Sequence, residues 1–241
     1  MDTEKIEIFS RLDELRTAVF GTVHKILPET FLMKTEKFQH RFGNTYAIRH
    51  TNRKEIVLID AVRPENKEAL KGFLEKGYKI SAVLLTHGDL LAQAYDSMDQ
   101  IKKDLDDAPI FIHPLDMHSQ EKELKDITAK HQIFKHFDLD VFHFPGHSGG
   151  SVVIRSGLNG GMLFTGDSAI GSPYEKDGYS FVRPVIKDHT KDFVLAEAWK
   201  DFAADFEHFL PQHGKPQFDI DEDERHTILR KLARDEPTIS L

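Results

Sequence analysis

The sequence predicts an α/β protein in which two packed β-sheets carry helices on their outer faces. Three observations predict it: short β-branched and aliphatic runs recur in both halves of the chain, they alternate with segments whose apolar residues step by three and four, and no Pro/Ser-rich linker separates the halves. The chain has 241 residues, against about 100 to 200 for a typical domain, so it suits one large domain, or one domain with an appendage.

The first element is an amphipathic helix over residues 3 to 20, where Ile6, Phe9, Leu12, Leu15 and Val19 form one apolar stripe behind Asp2 or Thr3 as N-cap. It reads as an N-terminal appendage, residues 1–25, on a main domain at 26–241. After Pro28, the runs Phe31 to Gln39, Thr45 to His50 and Glu55 to Asp60 are separated by Gly43-Asn44 and Thr51-Asn52-Arg53 and form a small antiparallel meander. Pro64 at the start and Gly77 past the end bracket a helix over 64–76, with Leu70, Phe73 and Leu74 on one face. Ile80 to Leu85 is a strand, and Leu91, Ala94, Met98, Ile101 and Leu105 mark a helix that ends before Pro109.

Ile110 to His113 is a further strand and 119–131 a polar helix. Val141 to Phe144, Ser151 to Arg155 and Met162 to Phe164 are short strands between Gly-rich turns. The segment Ser168 to Thr190 is the longest irregular one and reads as a polar loop over a site. Its Tyr174, Lys176, Tyr179 and Arg183 stand either near a substrate or, as the simpler reading, in solvent. Leu195, Ala198, Phe202 and Phe206 share a face of a helix over 191–206, Glu207 to Leu210 is the last strand, and 221–235 is a charged helix with Ile228, Leu229 and Leu232 inward.

Composition narrows the chemistry. A formal charge of −8 repels phosphate backbones and anionic headgroups, so neither nucleic acid nor a membrane surface is an expected partner. With no cysteine there is no disulfide, no thiolate metal site and no thiol nucleophile, and any metal must use histidine and carboxylates. The start Met1-Asp2-Thr3-Glu4-Lys5 lacks a basic n-region, and no stretch approaches the ~20 apolar residues that span a bilayer. The expectation is a soluble, cytoplasmic protein acting on a small molecule. Fourteen histidines make imidazole the conspicuous resource, and position decides which of them matter.

Four times an apolar strand runs into a turn that holds glycine and a His or Asp: Leu84-Leu85-Thr86-His87-Gly88-Asp89, Phe144-Pro145-Gly146-His147, Phe164-Thr165-Gly166-Asp167 and Leu210-Pro211-Gln212-His213-Gly214. Side chains at adjacent strand ends can converge on one point, and imidazole with carboxylate suits zinc, iron or manganese.

In this order and setting, these turns resemble the motifs of the metallo-β-lactamase superfamily across residues 30 to 215. Val57-Leu58-Ile59-Asp60 is similar to its first motif, Thr86-His87 opens its T-H-x-H-x-D-H, Pro145-Gly146-His147-Ser148 with Gly150-Ser151 resembles P-G-H-[ST]-x-G-S, Thr165-Gly166-Asp167 its T-G-D, and Gln212-His213-Gly214 its G-H-G. The resemblance implies a four-layer αββα sandwich, here with an extra N-terminal helix, and a metal site at one edge of the two sheets.

The long motif is degenerate, because Asp89 stands where the second His belongs, and Leu91 and Ala92 replace the Asp and the last His. Carried over residue by residue, the resemblance leaves His87, His147 and Asp167 for one ion, with Asp89 as a possible third ligand of the first site. His213 keeps only Asp167 as a companion in the second. Asp89 directly precedes the helical run from Leu90, and its reading as that helix's N-cap is preferred, since a carboxylate is shorter than an imidazole. His213 is either a vestige bonded to Asp167 or a proton donor. Asp60 is structural, behind the first His, and His143 is not a ligand, because an i, i+4 pair shares a face only on a helix.

A two-metal clamp is therefore not expected, and a single divalent ion, zinc or iron, is. The first expectation is a metal-dependent hydrolase with an eroded second site, using Asp89 or His213 as base. The alternatives are a catalytically silent binding protein with the same fold and no ion, and a mononuclear iron oxygenase similar to persulfide dioxygenases. Fold does not select the substrate.

Overall fold

The computed structural model describes residues 13–38, 41–94, 98–117 and 123–234. Among them, a seven-stranded sheet runs in chain order: β1 Val23–Leu27, β2 Thr30–Phe38, β3 Arg41–Arg49, β4 Glu55–Ile59, β5 Lys79–Leu84, β6 Ile110–Ile112 and β7 Lys125–Asp126. The first four pair antiparallel, which is the expected meander extended by β1. From β4 onward the pairing is parallel, because helix α2 (Asn66–Glu75) and the helical stretches α3 (Asp89–Ala94) and α4 (Met98–Asp104) return the chain to the same end of the sheet. The second sheet has the order β13-β10-β9-β8, with β8 Leu139–His143, β9 Val152–Ser156, β10 Met162–Gly166 and β13 His208–Pro211.

Period-2 alternation gives each strand one side chain set per face. The inner faces meet in one core, where Leu32, Tyr46, Val57, Ile59 and Leu84 of the first sheet pack with Val152, Ile154, Phe164 and Leu210 of the second. The outer face of the first sheet buries Ala47, Leu58 and Val83 under Leu70, Phe73, Leu91 and Ile101 of its helices. The outer face of the second buries Leu163 and Phe209 under Leu195 and Trp199 of α6 (His189–Asp201) and Leu232 of α7 (Glu222–Leu232). The order is helix, sheet, sheet, helix.

Several expectations need correction. Of the first helix, residues 3–12 lie outside the described chain; 13–17 are helical and form α1. Its Leu15 enters the core between the sheets, whereas Val19 is exposed. The helix expected over 119–131 is absent from its described part: Lys125 and Asp126 pair with Phe111 and Ile112, and Asp126 Oδ1 accepts from the Thr128 amide and hydroxyl. Local side-chain bonds of this kind compete with a helix, and Ile127 is buried in the inter-sheet core. A short helix, α5 (Gln132–His136), starts only after His131, whose ring accepts from the Ile133 amide.

Helix α6 ends at Asp201, so Phe202 and Phe206 reach the core from beyond it. The segment 168–190 is not a solvated loop. It contains the hairpin β11 (Ile170–Gly171) and β12 (Phe181–Val182), and its Tyr174 and Arg183 are buried. Arg183 is bonded to Asp192 and to the carbonyls of Leu232 and Arg234.

Candidate metal centre

Both sheets end at one edge, and the strand-end turns put their side chains there. His87 follows β5, His147 lies in the turn between β8 and β9, Asp167 follows β10, and His213 follows β13. His87 Nε2 lies 4.0 Å and His147 Nε2 3.6 Å from Asp167 Oδ2, and His213 Nε2 lies 3.5 Å from Asp167 Oδ1. The carboxylate of Asp167 is thus faced by three imidazoles. The His87 and His147 rings meet edge to face at 4.9 Å. Asp89 is the first residue of α3, and its carboxylate, 59% exposed, lies 3.3 Å from His147 Nε2.

His87, His147 and Asp167 fit a cation. Their ligand atoms lie within 4.8 Å of one another, and two atoms on one zinc ion stand at most ~4.2 Å apart, so a slight rotamer closure completes the set. His147 Nε2 is buried without a hydrogen-bond partner, a cost that an ion would remove. Burial pushes His87 down to about 4, partly offset by the Asp167 charge, so that its ring is neutral at neutral pH and free to ligate.

The orientation of His87 is built from beneath. Thr86 donates its amide to Asp60 Oδ1 at 2.8 Å and its hydroxyl to Asp60 Oδ2 at 2.9 Å. With its one proton spent on Asp60, Thr86 Oγ1 can only accept from His87 Nδ1, 3.0 Å away. That places the proton on Nδ1 and leaves the Nε2 lone pair for a ligand role. Burial pushes the Asp60 carboxyl up to about 7, with the two Thr86 bonds pulling the other way. The same threonine sets the next turn: Gly166 has φ +51, and a Cβ on it would stand 2.1 Å from Thr86 Oγ1. Any other residue there pushes the Asp167 turn away from His87.

Two organisers were not singled out from the sequence. Asp116, in a 3-10 turn after β6, accepts from the amides of Gly88 and Gly150, each at 2.8 Å, and from the Ser148 hydroxyl at 2.5 Å. It therefore ties the His87 turn to the His147 turn. Asn44, on β3, donates to the carbonyls of Pro211 and Gly214 and receives the Tyr174 hydroxyl on its Oδ1, which docks the His213 turn on the first sheet. The available signals were Gly43-Asn44, read as a turn, and the acid after His113-Pro114.

Leu91 packs in the outer core of the first sheet. His143 donates to the Gly149 carbonyl and stacks on His113 at 4.3 Å, bracing the loop without facing the cluster. Above the cluster is a small cavity of about 40 Å³ that Arg63, Leu90 and Gln212 help to line.

No family model matches the chain, and no curated protein does. Solved structures do. A metallo-beta-lactamase from Erythrobacter litoralis is 12% identical with a TM-score of 0.63, over 90% of this chain and 97% of that one. ETHE1 from Myxococcus xanthus is 16% identical with a TM-score of 0.57, over 84% of each chain. A metallo-beta-lactamase from Staphylococcus aureus subsp. aureus COL is 16% identical with a TM-score of 0.54, over 87% of this chain and 68% of that one.

Proposed function

We propose that this chain, which has the metallo-β-lactamase fold, is a metal-dependent hydrolase working with a single divalent ion, zinc or iron, held by His87, His147 and Asp167. The observation that carries the reading is the unsatisfied, buried Nε2 of His147 within a His-His-Asp group whose ligand atoms all lie within 4.8 Å. An ion there supplies Lewis acidity, which activates water and polarises a carbonyl or phosphoryl oxygen. Asp167 holds the negative charge that balances it between the imidazoles, and the Asp60–Thr86 pair keeps the His87 proton on Nδ1. The exposed carboxylate of Asp89 beside His147 is the proton acceptor within reach, and His213 on the other side of Asp167 is the donor to a leaving group.

Elemental analysis of the purified protein beside His87→Ala tests this. The expected result is near-stoichiometric metal in the parent and none in the variant. No stoichiometric metal, together with stability and activity indifferent to EDTA, overturns it and leaves a silent binding protein. The two-His, one-carboxylate set favours an iron oxygenase as second reading. Oxygen uptake with a sulfur substrate after ferrous loading supports that reading, and no uptake with iron bound ends it.

A further inference from the structure

A cavity of the described chain lies away from the metal centre. It has about 250 Å³ and opens between α2 and the β1–β2 edge of the first sheet. On the helix side, Ala69, Gly72, Phe73 and Lys76 step by three and four along one face. Two of the four are small, which hollows the helix surface. Gly72 is the informative one: it is a mid-helix glycine, a choice that weakens a helix, and nothing stands within 4 Å of where its Cβ would be. Neither backbone angle nor crowding requires glycine there, and its effect is to keep the cleft open.

The opposite wall comes from the strands. Phe31 on β2 meets Phe73 edge to face at 5.2 Å, and Phe73 meets Tyr78 the same way at 6.1 Å. Arg49 lies 5.5 Å from the centroids of both Phe31 and Tyr78, donates to the Tyr78 hydroxyl at 3.1 Å and is held bidentately by Glu29. Its charge is thereby spent on Glu29, and it serves as a fixed wall. The rim charges are ammonium groups: Lys25, opposite Phe31 on β1, Lys76 after the helix, and Lys54, 5.7 Å from the Tyr78 ring. On a chain of net charge −8, a rim of lysines around an aromatic wall is a local reversal of sign.

We propose that this cleft is a second binding site, for a small aromatic acid, with its ring against Phe31, Phe73 and Tyr78 and its anionic oxygens at Lys25 and Lys76. The site shares no residue with the metal centre and does not depend on what that centre holds.

The test is fluorescence titration of the full chain with 1-anilinonaphthalene-8-sulfonate and with its uncharged parent, N-phenyl-1-naphthylamine. The sulfonate is expected to bind about tenfold more tightly than the parent, a factor that an anion between two lysines readily supplies. Lys25→Glu with Lys76→Glu should remove that advantage and leave the uncharged dye unaffected. Gly72→Leu, which fills the hollow on a helix it also strengthens, should abolish binding of both with no fall in melting temperature. Unchanged binding in Gly72→Leu shows that the dyes bind elsewhere and overturns the proposal. Equal affinity for the two dyes, or indifference to the lysine reversals, overturns the anionic class. If Gly72→Leu does not fold, protection of the Phe73 and Tyr78 amides from chemical-shift change on titrating the parent chain overturns it equally.

Discussion

The carboxylate of Asp116 accepts three hydrogen bonds from two loops that are distant in sequence, and those loops carry His87 and His147. Bonds to an ionised acceptor contribute about 1.5–3 kcal/mol each at most and share penalties when removed together. Asp116→Ala is therefore expected to cost about 2–4 kcal/mol in a denaturation experiment. Because the ligands stay but lose their mutual spacing, metal affinity should fall about 10- to 100-fold in a chelator competition. Full affinity in a folded variant would deny Asp116 its positioning role. His87, His147, Asp167 and His213 were legible because each sits in a glycine-containing turn at a strand end, a pattern local to a few residues. Asp116 was not, because two of its three partners are backbone amides 28 and 34 residues away, which carry no sequence signature, and the third, the Ser148 hydroxyl, lies 32 residues away. Asn44 was visible only as a turn residue, for the same reason.

Among elements, the antiparallel meander is closed at its far end by one ion pair. Glu29, at the β1–β2 turn, holds Arg49 at the end of β3 through two bonds. The Arg49 bond keeps the Glu29 carboxyl below its ordinary value. A carboxyl with a depressed folded pKa contributes stability that is present above the unfolded value near 4.5 and is lost as pH falls through the lower, folded one. Glu29→Gln should thus cost about 1 kcal/mol at pH 7, as a partly exposed bidentate pair does. The gap to the parent should close as urea melts are taken below pH 4. A gap that persists in acid would point to packing instead. The meander, α2, the strand before His87 and α7 with its Asp221–Glu224 capping box could be read from turns, caps and period. The segment 119–131 could not: its polar composition suited a helix, and the deciding partner, β6, pairs with it only in the folded sheet. Likewise β1 preceded Pro28 with too little alternation to stand out, and gains its place by register with β2.

At the scale of the molecule, His87 belongs to the first sheet and His147 and Asp167 to the second. An ion held by all three joins the two layers at their shared edge, on the rim of the inter-sheet core. A ligand bound only by the folded state at 100 times its dissociation constant contributes about 2.7 kcal/mol. For a chain of this size, that is about 5–10 °C. Zinc or ferrous loading of EDTA-treated protein should raise the melting temperature by that amount, and amide exchange should slow together at the ends of β5 and β10. Slowing in one sheet alone would mean that the ion does not bridge them. In the described residues no helix is long and apolar enough to cross a membrane.

Leu91 packs with Leu70, Ile101 and Val83 in the outer core, so its side chain holds α3 against the first sheet. An aspartate installed at position 91 would trade apolar packing for a charge lodged among aliphatic side chains, at a cost of several kcal/mol before any cation could repay it. Adding a carboxylate ligand at this position therefore requires the helix to be repacked against the sheet first. A directed-evolution campaign that seeks a second ion at this edge meets that packing cost before any gain in chemistry.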